Sequence, residues 1–129
     1  MATPPLFTGP LEHWLWQGFQ IRLALFPDTP GLIDSFLEEG RRLARNGSVD
    51  AWKAAEYQFA LLLQSCRSPA LPWHWRRLCQ DQAHRPLKDL SRLVHSVEEH
   101  QRLEKLGFHL ACIVLPPEPP GPRRNCPPA

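Results

Sequence analysis

Proline, glycine and asparagine punctuate this chain at intervals that suit helices, and the apolar residues between the breaks recur every three to four positions rather than every second one. Pro10 fits the first turn of a helix, with Thr8 or Gly9 as its cap, and the segment from Leu11 to Phe26 is closed by Pro27-Asp28-Thr29-Pro30. A second segment, Gly31 to Arg45, stops at Asn46-Gly47, and a third, capped by Ser48, runs to about Cys66. Ser68-Pro69-Ala70-Leu71-Pro72 is a linker, after which Trp73 to His84 forms a short fourth helix and Pro86 opens a fifth. The expected fold is all-α: a single-domain irregular bundle of about five helices over residues 1–115, followed by a disordered Pro-rich tail over 116–129. Seven of the 15 prolines lie in that tail, where they oppose both helix and ladder hydrogen bonding.

Helical wheels assign faces to these segments. The first helix carries one stripe of Leu11, Trp14, Gly18, Ile21 and Leu25 and another of Trp16, Phe19, Leu23 and Phe26, so it should touch neighbours on two sides. Arg22 lies between the stripes, beside Leu15, where a charge must snorkel or find a carboxylate. The second helix turns Leu32, Ile33, Phe36, Leu37, Gly40, Leu43 and Ala44 inward, with acids leading, arginines trailing and Glu38 set four residues before Arg42. In the third, Ala51, Trp52, Ala55, Phe59, Leu62, Leu63 and Cys66 form the core face, with Tyr57 and Leu61 on a second side. The fourth buries Trp75, Leu78, Cys79 and Ala83, and the fifth Leu87, Leu90, Leu93, Val94 and Val97. The phase then slips to Leu103, Leu106 and Leu110, so that helix changes neighbour or breaks near Glu98 to Gln101. Phe108 to Leu115 reads as a final helix or irregular packed segment, with a strand after Gly107 as the alternative.

Composition narrows the function classes without choosing one. At 129 residues the chain can bury a single core without staples, and a net charge of +2 is too mild to indicate nucleic acid or an acidic membrane. The balance is −1 over residues 1–47, +2 over 48–85 and +1 over 86–129, so only the middle is mildly basic. Cys66, Cys79, Cys112 and Cys126 show no zinc spacing and read as free thiols. With no signal-like start and no apolar stretch long enough to span a bilayer, the expected location is cytoplasmic.

Catalytic and metal motifs fail on spacing. His95 and His100 are five residues apart and project from different sides of a helix, which leaves His95 and Glu99 as a surface i,i+4 pair rather than part of a zinc site. Cys66 and Cys79 lie on apolar faces, where a thiol is a poor nucleophile. There is no G-x-S-x-G turn and no glycine-rich phosphate loop. No enzyme activity, metal or cofactor is therefore expected, although residues gathered from separate helices would leave no such signature.

Two Trp-x-Trp pairs, Trp14/Trp16 and Trp73/Trp75, carry the functional expectation. Residues two apart on a helix point about 200° from each other, so one indole of each pair leaves the apolar face. Trp73 and Trp16, rimmed by Arg76, Arg77 and Arg22, are the candidate partner-binding residues of a small interaction module: an adaptor, assembly factor or regulator that docks on another protein or on itself as a homodimer. The alternative is a nucleic-acid-binding regulator that uses the basic aromatic segment Trp73-His74-Trp75-Arg76-Arg77.

Overall fold

A computed structural model describes residues 9–118, and within them the chain is helical without a strand. The helices run in the order α1 (Pro10–Arg22), α2 (Gly31–Arg45), α3 (Ala51–Arg67), α4 (Trp73–Gln82), α5 (His84–Leu93) and α6 (Val97–Ala111). Helices α4 and α5 abut at Ala83, whose φ of −62° and ψ of −21° stay in the helical region. The unit is all-α, as the punctuation predicts, and close to the expected five helices, the segment opened by Pro86 dividing into α5 and α6. Beyond Glu118, the Pro-rich tail expected over 116–129 lies outside the described residues.

Helix α3 is the hub and packs against α1, α2, α4 and α5, while α6 lies against α5. Its Phe59, Leu62 and Cys66 are fully buried. They meet Phe36, Leu37 and Leu43 of α2, Ile21 of α1, Trp75 and Cys79 of α4 and Leu90 of α5 in one cluster. Polar atoms at the α1–α2–α3 junction are satisfied from side chains. The Phe36 carbonyl accepts from Trp14 Nε1 at 3.1 Å and from Gln58 Nε2 at 3.0 Å. Gly40 makes this approach feasible, because a Cβ there would overlap the Gln58 amide and crowd the Trp14 indole nitrogen. Trp14 also stacks on Phe36 at 5.7 Å and meets Tyr57 edge-on at 5.1 Å.

Several local features differ from the sequence reading. Asp50, rather than Ser48, caps α3 by accepting from the Lys53 amide at 3.0 Å, while Ser48 belongs to the preceding turn and bonds the Asn46 side chain. Trp52 is half-buried at the margin of the core, because Ala54, Ala55 and Gln58 take the inward positions of that turn. Helix α5 ends at Leu93, ahead of the expected break, and Ser96 starts α6 by accepting from the Glu99 amide at 3.1 Å. The Glu99 carboxylate in turn accepts from the His95 amide, a capping arrangement that leaves Val97 exposed. On α2 the ion pairs join Glu38 to Arg41 and Glu39 to Arg42, three residues apart, in place of Glu38 with Arg42. The ambiguous last run is resolved as helix to Ala111, followed by an irregular extended segment whose Ile113 and Leu115 pack on the core.

Candidate interaction surface

Helix α1 buries a narrower face than its wheel suggests. Trp14, Gln17, Gly18, Gln20 and Ile21 turn inward. The second stripe is only partly covered: Trp16 is half-buried, whereas Phe19 is 49% exposed and Leu23 47%. Leu11 and Leu15 join them, so that positions 11, 15, 19 and 23 form an exposed ridge of large apolar side chains at i,i+4 spacing. Leu25 and Phe26 in the following turn extend it, and the half-buried Trp16 stacks on Phe19 at 5.5 Å with an 18° interplanar angle. Helix α1 and the turn after it thus present six exposed leucine and phenylalanine side chains. Isolated surface leucines are ordinary, whereas a contiguous row of this kind is characteristic of an interaction surface.

The five residues singled out from the sequence fall on two helices. Trp16 and Arg22 belong to α1, with Arg22 half-buried beside the ridge and near enough to the Cys79 thiol for its charge to oppose that thiol's shift. Trp73, Arg76 and Arg77 belong to α4, where local contacts employ all three. Trp73 is half-buried, and its indole donates to the Pro116 carbonyl at 2.7 Å, so the C-terminal segment lies over it. Arg76 donates from Nε to the Cys66 carbonyl at 2.8 Å and thereby satisfies the C-terminal turn of α3. Arg77 pairs with Asp81 at 3.5 Å. Trp75, by contrast, is fully buried and donates to the Ile21 carbonyl at 3.0 Å, which joins α4 to the end of α1.

Leu11, Leu15 and Leu25 are surface members that the sequence reading assigned elsewhere or passed over. Their signal was the excess of apolar residues around α1, more than one buried face can use. Burial pushes the Cys79 thiol up to about 12, with the neighbouring Cys66 adding to the shift, and the Cys66 thiol is raised for the same reason. Neither is suited to nucleophilic chemistry. Among the described residues no three histidine, cysteine or acidic side chains are grouped to hold a metal, and no helix is long and apolar enough to cross a membrane. Comparison with protein-family models, curated proteins and solved structures finds no match.

Proposed function

We propose that this chain is a protein-interaction module whose docking surface is the outer edge of α1. The observation that carries the reading is the exposed row Leu11, Leu15, Phe19 and Leu23, continued by Phe26. Its occupant is the apolar face of a helix from a partner protein, because an i,i+4 ridge inserts into the groove between matching ridges of another helix. Charge argues against an anionic membrane surface: Arg22 is the single lysine or arginine on α1, whereas interfacial helices carry several. Arg22 flanks the ridge and supplies a directed contact at its margin, while Trp16 backs Phe19 by stacking on it. The Trp73 group is a secondary contact region, since its indole and guanidinium groups are already engaged within the fold.

Placing a photoreactive phenylalanine analogue at Phe19, in cells that produce the protein, tests this directly. The expected result is one discrete adduct that disappears in Leu15→Ser/Leu23→Ser, with sedimentation of the purified chain showing whether the adduct is a second copy. A smear of adducts indifferent to those substitutions would sink the proposal. The nucleic-acid alternative predicts oligonucleotide affinity that falls steeply with salt and with Arg76→Gln/Arg77→Gln. The protein-docking reading predicts no such affinity.

A further inference from the structure

Small side chains leave a hollow of about 340 Å³ where α2, α3 and α5 converge. Its floor is Ala44, Ala51, Ala54 and Ala55, with Gly40 and Gln58 at the seam between α2 and α3 and Leu93 as one wall. Beyond Ala51 and Leu93 lies a second, more polar hollow, where Trp52 stands among Asp50, Lys53, His95 and Glu99. The rim is basic. Arg41, Arg45 and Arg92 all line the hollow, against one acid, Asp89.

These charges are arranged rather than scattered. Asp89 is engaged at both oxygens by the Arg41 fork, Nε to Oδ2 and Nη2 to Oδ1, each at 3.0 Å. That fork fixes the Arg41 guanidinium at the edge of the cavity and quenches the only carboxylate in it. Arg92 stands 3.9 Å from the same carboxylate, largely in solvent. Arg45 has no carboxylate partner among the described residues. Three guanidinium groups against one carboxylate leave two positive charges over an apolar floor, and the volume is that of a small-ligand site.

We infer that this hollow binds a small organic anion, with a carboxylate or phosphate head held by Arg45 and Arg92 and an apolar body resting on Ala51, Ala55 and Leu93. An inorganic ion would leave the alanine floor wet, and a neutral apolar molecule would leave the guanidinium pair unused. The site is separate from the α1 ridge and does not depend on the docking proposal.

Titration of the isotopically labelled full chain with hexanoate, hexyl phosphate, hexanol and inorganic phosphate, followed by amide and methyl NMR, tests the inference. Saturable shifts are expected at Ala44, Ala51, Ala55 and Leu93 with hexanoate or hexyl phosphate, and the stronger of the two identifies the head group. Hexanol and inorganic phosphate should bind about tenfold more weakly or worse, since each lacks one half of the recognition. Arg45→Gln/Arg92→Gln should weaken the organic anion by about tenfold with little change in melting temperature, because both side chains lie mainly in solvent. Ala51→Leu, at a half-buried floor position, should fill the hollow and abolish the shifts. Hexanol binding as well as hexanoate, shifts that map elsewhere, an unaffected double variant or no saturable binding would each overturn it.

Discussion

Tryptophan 75 and tryptophan 73 differ by two positions and by almost everything that matters energetically. Trp75 is fully enclosed and its indole satisfies a backbone carbonyl of another helix, so Trp75→Ala should cost about 3–5 kcal/mol in urea unfolding. Trp73 is half-buried and bonded to an exposed carbonyl, so Trp73→Ala should cost about 1 kcal/mol. Equal losses would mean that the C-terminal segment holds Trp73 as firmly as the core holds Trp75. The buried thiols give a pH signature with a definite sign. Cys79, raised from 9.0 to about 12 in the fold, keeps its proton over a range in which the unfolded thiol has lost it. The native state then binds more protons, so its stability is fully supported below about pH 9 and falls as pH rises from there towards 12. Denaturant midpoints measured across that range should decline, and Cys79→Ala should flatten the decline. At pH 8 iodoacetamide should label the exposed Cys112 well before Cys66 or Cys79.

Two helices end in the same way with different residues, and this gives the clearest test of local design. After α2, Gly47 takes φ +81°, its amide bonds the Ala44 carbonyl, and the Ser48 amide bonds Leu43. After α1, the equivalent position is Ala24 at φ +48°, with its amide on Ile21 and the Leu25 amide on Gln20. Both are Schellman closures, but an alanine in the left-handed region carries a steric cost that glycine avoids. Ala24→Gly should therefore stabilise the protein by about 0.5–1 kcal/mol, and Gly47→Ala should destabilise it by a similar amount. A loss of stability in Ala24→Gly would mean that the Ala24 methyl group contributes more by packing than the strain removes. The closure lies beside the α1 surface as well, since the exposed Leu25 and Phe26 follow directly on it.

The assembly of the bundle depends on α3 at its centre and on a C-terminal segment drawn across α4. Gln80 donates to the Ile113 carbonyl at 3.1 Å, Trp73 reaches Pro116, and Ile113 and Leu115 pack on the core between these two bonds. A chain ending at Leu115 should lose about 1 kcal/mol or less, namely one exposed hydrogen bond. A chain ending at Ala111 should lose about 1–3 kcal/mol through the uncovered apolar area. Similar melting temperatures for both would show that the segment adds nothing to the fold. Ion pairs complete the frame at the surface. Arg85 reaches Asp34 and Glu38 from α5 to α2, and Arg102 joins α6 to Glu56 of α3 at 2.9 Å.

Helix type, the bounds of α2 and the inward direction of Trp75 were legible along the chain, because period, breakers and capping chemistry act within a few neighbouring residues. The Ser96-x-x-Glu99 capping pattern was also present and would have placed the start of α6 correctly. What periodicity could not supply was which of two apolar stripes on α1 meets another helix. That choice depends on where α2, α3 and α4 come to rest. Gly40 admits Trp14 and Gln58 to one carbonyl, while Trp75 bonds the end of α1, and together these contacts turn Ile21 inward and leave Phe19 outside. The arginine-rimmed hollow has the same origin, since its three arginines lie on two helices and meet only because small residues of α2 and α3 let those helices converge on α5.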